Sequence, residues 1–326
     1  MNLPDESRPF DLKIPLRFDV PLSRFSTFQI GGPARFFSEP TTMDELRTLL
    51  EFASDQELEV LTIGKGSNVL FPDEGFPGLV ITTIHFEHDK IICDPHEETV
   101  TASSGVNLYR LALACRDGRL GGTEFLSHIP GTLGGALIMN AGFSRFPGKK
   151  MEIGNLVEEV TVLGPDGEER ILKREDLEFS YRKSNLDGFM ILGAKLKLFR
   201  AKPEDIQAEI QASFDYRNRV QDLRYPSAGS VFKNPSPPPS PLGGEGRVRG
   251  ESSGQMIEKV GLKGKRIGGA MISDRHGNFI VNLGGAKASD VVELIQTARE
   301  KVFEAFGIHL EPEIRIIEGP LVQLPS

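Results

Sequence analysis

Glycine in this chain is bunched rather than spread. Of 35 glycines in 326 residues, six fall in two runs: Ile63-Gly64-Lys65-Gly66-Ser67-Asn68-Val69-Leu70, and Ile129-Pro130-Gly131-Thr132-Leu133-Gly134-Gly135-Ala136, which Met139-Asn140-Ala141-Gly142 extends. The first run directly follows the apolar, β-branched stretch over 58–63, so it reads as a loop at the end of a strand. Without a Cβ, a backbone N–H can approach a phosphate oxygen or a second backbone closely. Two readings stand: a cradle for a phosphate-bearing ligand, made stronger by the neighbouring Ser, Thr and Asn side chains, or tight turns between packed strands. The better-known nucleotide and hydrolase signatures are absent. There is no GxxxxGK[ST], no GxGxxG joining a strand to a helix, no HExxH and no GxSxG. An ordinary P-loop ATPase, a Rossmann dehydrogenase and an esterase are thereby disfavoured.

Charge narrows the partners. Lys and Arg number 38 against 46 Asp and Glu, a formal net charge of -8, so no global positive field draws the chain to nucleic acid or to an anionic membrane. No stretch approaches the roughly 18 apolar residues that span a bilayer, and the first ten residues, MNLPDESRPF, carry no apolar signal core. The two cysteines, Cys93 and Cys115, fall in different predicted elements with no CxxC or histidine company. The expectation is therefore a cytoplasmic protein with neither a disulfide framework nor a metal site. With 39% hydrophobic residues the chain has enough apolar mass for a sizeable core.

Periodicity predicts mixed helices and strands without a strict βαβ rhythm. An amphipathic helix is expected over 41–56, with Thr41 or Thr42 as N-cap and Met43, Leu46, Leu50 and Ala53 on one face. Strands follow over 58–63, 78–83, 90–93 and 99–102, then a helix over 107–116. Two alternating strands over 156–172 flank Gly164-Pro165-Asp166-Gly167 as a hairpin, and another strand runs over 189–199. A helix is expected over 203–220, with Pro203 in its first turn and Ile206, Ile210 and Phe214 on one face; it marks the start of a second unit. Short strands over 268–272 and 278–282, a helix over 289–306 striped by Val291, Ile295, Ala298, Val302 and Phe306, and a strand over 313–317 close the chain. The stretch 236–252, SPPPSPLGGEGRVRGES, has almost nothing to bury and reads as a disordered surface loop, with a partner-docking segment as the sharper alternative.

Eight segments in order, PLSRFSTFQIGGPARFF, IGKGSNVL, IPGTLGGALIMNAG, FSYRKS, GSVFKNP, GLKGKRIGGAMIS, NFIVNLGGAKASDVVELI and LEPEIRII, run from about residue 20 to the end. Together they resemble the UDP-N-acetylenolpyruvoylglucosamine reductases of bacterial peptidoglycan synthesis. The resemblance implies an α+β protein: a two-subdomain FAD-binding fold of the vanillyl-alcohol-oxidase (PCMH) type, then a smaller α+β substrate-binding domain. The organisation expected is an N-terminal extension over 1–19, an FAD-binding domain over 20–200 split near 85–90, a C-terminal domain over 201–319 interrupted by the insertion 236–252, and a tail over 320–326. FAD would be noncovalent, held by Gly64, Lys65, Gly66, Ser67, Asn68, Val69, Leu70, Ile129, Pro130, Gly131, Thr132, Gly134, Gly135, Ala136, Asn140 and Gly142. NADPH would donate hydride, and the substrate would be UDP-N-acetylglucosamine enolpyruvate.

By the same resemblance, Ser230 in Gly-Ser-Val-Phe-Lys-Asn-Pro corresponds to the proton donor. Arg182, in Tyr-Arg-Lys-Ser, and Glu313, in Glu-Pro-Glu-Ile, correspond to residues that polarise the substrate carboxylate and enol. An arginine fork suits a carboxylate and a developing enolate; a serine hydroxyl becomes a competent acid only where water is excluded. Tyr181, Lys233 and Asn234 stand at substrate-contacting positions, with Lys233 equally suited to neutralising a local acid. His128 precedes the second glycine run, and the resemblance does not make it a covalent flavin site. Between Tyr181 and Phe189 the chain has only RKSNLDG, so it resembles the class without the longer tyrosine-bearing loop. Gly142-Phe143-Ser144-Arg145 stands where Ala-Tyr-Gly is often found, and the insertion begins shortly after Ser230. Two alternatives accompany the reductase reading: another oxidoreductase on the same flavin fold, and a silent flavin or sugar-nucleotide binder disabled by the insertion.

Overall fold

The computed structural model describes residues 14–87, 90–143, 151–235 and 251–318. Most of the expected N-terminal extension, the insertion over 236–250, Ser144, Arg145 and the tail lie outside the described residues.

Three sheets organise the molecule. In the first, Leu16–Pro21 pairs antiparallel with Pro33–Ser38, which runs parallel to Phe76–Thr82 and through it to Val60–Ile63. The sequence reading places no element before residue 41, yet Leu16–Pro21 starts inside the stretch expected as an extension. Helix α1, Met43–Asp55, is opened by a Thr42–Glu45 capping box and buries Leu46, Leu49, Phe52 and Ala53 against Phe36, Leu79 and Ile81. Leu49 and Phe52 rather than Leu50 and Met43 carry the buried face, a rotation of the expected stripe.

The second sheet is wholly antiparallel, in the order Glu169–Lys173, Val157–Leu163, Met190–Lys197, Thr99–Ser103, Ile91–Asp94. Helix α2, Leu108–Asp117, capped by the Asn107 side chain, and helix α3, Leu133–Ile138, supply its apolar cover. Leu163, Met190 and Leu192 of this sheet share a cluster with α1, which joins the two sheets through one core. Helix α4, Pro203–Val220, has the expected bounds, but it packs on the large body: Ile206 and Ile210 form a cluster with Ala112 of α2. Its apolar face is satisfied there, so the C-terminal unit begins after it.

That unit is a small sheet, Arg266–Ile267, Ala270–Ile272 and Ile280–Asn282, covered by α5, Ser253–Lys259, and α6, Ala288–Phe306. Ser252 caps α5 with a capping box and so belongs to the helix start rather than to a surface loop. Helix α6 ends on Gly307 in the left-handed conformation and buries Leu294 in its stripe, whereas Phe306 is 36% exposed.

The two units share more than a linker. Arg315–Ile316 pairs parallel with Val69–Leu70, and Phe28, Ile30 and Leu70 sit in one apolar cluster with Val231, Phe232 and the α6 stripe. Asp73 of the first unit caps α6: its carboxylate accepts from the Ala288 N–H at 2.7 Å and from the Ser289 N–H at 3.1 Å. These contacts hold the C-terminal wall at the mouth of the first glycine run.

Candidate active site

The strand Val60–Ile63 ends at the first glycine run. Gly66 has φ +58°, and a Cβ there would stand 2.0 Å from the Phe25 carbonyl; a Cβ on Gly64 would stand 2.2 Å from Thr132 Oγ1. Only glycine lets this loop seat against residue 25 on one side and the second run on the other. Three of its carbonyls are taken: Gly66 O accepts from the Thr27 N–H at 3.1 Å, Gly64 O from Thr82 Oγ1 at 3.3 Å, and Asn68 O from the Arg315 N–H at 2.9 Å. Its donors are not. From Gly64 to Asn68 no backbone N–H has a partner among the described residues, which leaves a short row of donors suited to an anion.

The second run is built differently. Gly134, Gly135 and Ala136, expected in a loop, lie in α3. The Leu133 N–H donates to Val106 O and the Gly134 N–H to Ser104 O, both at 2.9 Å, and the Gly131 N–H to Ile129 O at 2.8 Å. This run offers close approach rather than free donors.

Both runs line a cleft of about 1580 Å³, together with Gly142, Tyr181, Arg182, Ser230, Asn234 and Glu313. A pocket for one small ligand measures roughly 300–1,000 Å³, so this one has room for a dinucleotide and a second nucleotide together. The donor row, the glycine surfaces and the size all fit FAD. Three expected positions fall elsewhere. Leu70 is buried in the shared core. Asn140 is buried and accepts from the Gly154 N–H at 3.0 Å while donating to Ser180 O at 2.9 Å, which fixes the turn that presents Arg182. Lys233 directs Nζ to Glu311, 3.4 Å away.

Arg182 sits at the tip of the tight hairpin formed by Phe179–Ser180 and Lys183–Ser184, with φ +57°. A bulky residue is uncommon in that left-handed region, and such strain collects at functional sites. Its Nε donates to Glu313 Oε1 at 2.6 Å and its Nη2 to Gly142 O at 3.1 Å. The two side chains are only 20% and 13% exposed. Burial pushes the Glu313 carboxyl above its ordinary value, and Arg182 pulls against that shift. The Tyr181 phenol is likewise raised, first by burial and then by the Glu313 charge.

Ser230 follows Gly229, at φ +78°, and begins a strand-like segment held from both sides. The Asn278 side chain accepts from the Phe232 N–H at 2.9 Å and donates to Phe232 O at 2.8 Å. On the other side the Glu313 N–H donates to Val231 O at 2.7 Å, so Ser230 and Glu313 belong to adjacent chain segments. Ser230 Oγ has no hydrogen-bond partner among the described residues. Asn68, at the end of the first glycine run, donates from Nδ2 to Glu313 O at 3.0 Å. Its side-chain amide is therefore committed to the backbone of residue 313. Asn234 Oδ1 accepts from the Ser253 N–H at 3.1 Å, and its own N–H lies 3.5 Å from the Tyr181 hydroxyl.

One group escaped the sequence reading, and its neighbour His128 was given no role there. Arg217, near the end of α4, lines the cleft half-buried, donating to His128 O at 2.7 Å and to Gln221 Oε1 at 2.9 Å. It has no carboxylate partner among the described residues, and burial lowers its affinity for the proton. Beside it, burial and then the Arg217 charge bring the His128 imidazole down to about 4, so it is neutral near pH 7. Only the position of α4 against the second run brings them to the cleft, and no local pattern in DYRNRVQ announces that. Among the described residues no cluster of His, Cys, Asp or Glu is arranged to hold a metal ion, and no helix is long and apolar enough to cross a membrane.

Comparison with known proteins agrees with this geometry. A family model described as FAD binding domain matches residues 34–173, and one described as UDP-N-acetylenolpyruvoylglucosamine reductase, C-terminal domain, matches residues 221–317. The reductase of Caldicellulosiruptor bescii is 41% identical over 310 residues, 93% of this chain and 92% of that one. The reductase of Anoxybacillus flavithermus is 37% identical over 299 residues, 91% and 92% of the two chains. The crystal structure of the Thermus caldophilus enzyme superposes with a TM-score of 0.73 at 33% identity, covering 93% of this chain and 98% of that one. The expected α+β architecture, an FAD-binding fold of the vanillyl-alcohol-oxidase type followed by a smaller domain, holds, and this chain belongs to the UDP-N-acetylenolpyruvoylglucosamine reductase family.

Proposed function

We propose that the chain reduces UDP-N-acetylglucosamine enolpyruvate to UDP-N-acetylmuramate, with NADPH as electron donor and noncovalent FAD as carrier. FAD, when bound, supplies the hydride chemistry, accepting from NADPH and delivering from N5 to C3 of the enolpyruvyl ether. The N–H row from Gly64 to Asn68 would hold its pyrophosphate. Ile129, Pro130, Gly131, Thr132, Gly134, Gly135, Ala136 and Gly142 would form the surface along which it lies.

The remaining work falls to the cleft walls. Hydride at C3 would leave an enolate whose negative charge spreads from C2 into the carboxylate oxygens, and the Arg182 guanidinium, clamped by Glu313 and Gly142 O, is held ready to stabilise it. Clamping removes the reorganisation a free arginine would need at the moment of reaction. Ser230 gives its Oγ proton to C2, and its uncommitted hydroxyl is free to turn toward that carbon. Tyr181 and Asn234, both on the cleft wall, would contact the substrate, while Lys233 would have to leave Glu311 to do so. The observation that carries this reading is the convergence, on one cleft, of the Arg182–Glu313 ion pair, the unpartnered Ser230 hydroxyl and the free donor row.

The test is anaerobic. NADPH is expected to bleach the flavin of the purified protein, and the enolpyruvyl nucleotide to restore its colour with formation of the lactyl ether. A reducible flavin that ignores this substrate would overturn the assignment and favour another oxidoreductase on the same fold or a silent binder.

A further inference from the structure

Ser230 and Arg182 are held in different ways. Arg182 is clamped through its own side chain by Glu313 and Gly142 O, whereas the Ser230 hydroxyl has no hydrogen-bond partner among the described residues. The place of its oxygen is therefore set by the backbone around it. That segment starts at Gly229, at φ +78°, where an added Cβ would meet nothing within 4 Å, so it has to be pinned further along. On one side it pairs with the chain around Glu313: the Lys233 N–H donates to Glu311 O at 2.9 Å and the Glu313 N–H to Val231 O at 2.7 Å. On the other side the strand Ile280–Asn282 is already paired with Ala270–Ile272. A bridge between Ser230 and Phe279, and the Val231 N–H bond to Asn278 O at 2.9 Å, reach across from just before it. The Asn278 side chain then supplies what a continuing strand would have given, with Oδ1 accepting from the Phe232 N–H at 2.9 Å and Nδ2 donating to Phe232 O at 2.8 Å. Both residues are buried, so these backbone groups depend on the asparagine for their partners.

Asn278 is itself firmly seated. Its N–H donates to His276 Nδ1 at 3.1 Å. Within the same turn Ser273 Oγ accepts from the Arg275 N–H at 3.0 Å and the His276 N–H at 3.3 Å, and donates to the buried Asp222 carboxylate at 2.7 Å. The turn also packs hard on the start of α5: an added Cβ on Gly277 would lie 2.4 Å from Gly254 O, and one on Gly254 would lie 3.4 Å from Asn278 Cβ. We propose that Asn278 is a positioning residue for the reduction, holding both backbone groups of Phe232 and so fixing the point from which Ser230 delivers its proton. The inference rests on the assignment of Ser230 as the acid at C2. An amide is the group this task needs, since it carries an acceptor and a donor side by side and matches a peptide unit edge to edge. A carboxylate would lack the donor, and a hydroxyl is too short to serve both groups. Pinning the backbone in advance spares the reaction the cost of ordering it at the moment of proton transfer.

The test is a mutant cycle read in both half-reactions of the flavin-loaded protein. In Asn278→Ala, reduction by NADPH is expected within about threefold of wild type, while saturating enolpyruvyl nucleotide reoxidises the flavin about 10²-fold more slowly, the loss that a shift near 1 Å brings. Placed on Ser230→Ala, the same substitution should slow reoxidation by less than about threefold further, because the group it positions is gone. Ile295→Val, a buried change in α6 away from this segment, is the control for lost stability and should leave both half-reactions at their wild-type rates. Equal slowing of both half-reactions in Asn278→Ala, equal slowing with and without the Ser230 hydroxyl, or reoxidation that falls in step with the melting midpoint in Ile295→Val as well, would each overturn the proposal. Reoxidation in Ser230→Ala as fast as in wild type would instead overturn the reading of Ser230 on which it rests. Asn278→Ser, which cannot span both groups of Phe232, carries the same cycle with the same expected pattern if the alanine variant fails to fold.

Discussion

Replacing Asn68 by alanine separates two roles that the sequence places on one residue. The resemblance puts Asn68 among the flavin contacts, but its Nδ2 donates to Glu313 O and its own carbonyl accepts from the Arg315 N–H. Asn68→Ala removes the first of these bonds and leaves a part-buried carbonyl without its donor, a loss of about 1–2 kcal/mol. For a protein of this size that lowers the melting midpoint by about 1.5–3 °C. The backbone N–H row is untouched, so FAD affinity should stay within about threefold of wild type, well under the 1.4 kcal/mol of a tenfold change. The segment carrying Glu313 loses one of its tethers, and a displacement near 1 Å at such a group costs on the order of 10²-fold. Flavin fluorescence titration of the apoprotein gives the affinity, and anaerobic stopped-flow absorbance gives the two half-reactions. Slow reoxidation by substrate beside near-normal FAD binding and normal reduction by NADPH is the expected pattern. A more than tenfold loss of FAD affinity with unchanged reoxidation would refute the reasoning and return Asn68 to the flavin.

Three further outcomes follow from the same geometry. Asp73→Ala removes the carboxylate that caps α6 from the other unit; urea unfolding should show a loss of about 1–2 kcal/mol, and an unchanged midpoint would mean the cap is idle. Asp222 is buried between Arg224 and Ser273, and the Arg224 side-chain hydrogen bond, opposed by burial, holds its carboxyl well below the usual range. A depressed folded value contributes stability that is complete above the unfolded value of about 3.9 and is lost as pH falls through the folded one. The stability deficit of Asp222→Asn should thus be full at pH 7 and shrink below pH 4, and a deficit independent of pH would contradict the assignment. Glu313→Gln should slow flavin reoxidation by about 10²–10³-fold. Because burial raises the Glu313 carboxyl, any acid limb that it causes in kcat/KM should lie above the ordinary carboxylate range and disappear in this variant; a limb that persists belongs to another group.

Local chemistry was easiest to read in the sequence. Pro203 and the acids behind it set the start of α4, Gly307 in the left-handed conformation ends α6, and Gly164 to Gly167 turn the hairpin between Val157–Leu163 and Glu169–Lys173. The strand Leu16–Pro21 was missed because most of its residues remain partly exposed, so no clean alternation marks it. Helix α3 was missed because Gly134 and Gly135 suppress its propensity; tertiary bonds to Val106 O and Ser104 O hold its first turn instead. Phe306 sits in register with the α6 stripe yet is exposed because the helix outruns the core beneath it. At the site, Arg182, Ser230 and Glu313 came from motif resemblance, and the structure brings all three to one cleft. The supports around them are long-range and leave no local trace. Asn68 reaches Glu313 across 245 positions and Asp73 reaches Ala288 across 215.

The most direct test of the central claim is the pair of half-reactions in Ser230→Ala. Reduction of the bound flavin by NADPH should keep its wild-type rate, while reoxidation by UDP-N-acetylglucosamine enolpyruvate should slow by about 10²–10⁴-fold, the share a positioned proton donor contributes. Equal slowing of both steps, or reoxidation as fast as in the wild type, would contradict the assignment of Ser230 as the acid at C2.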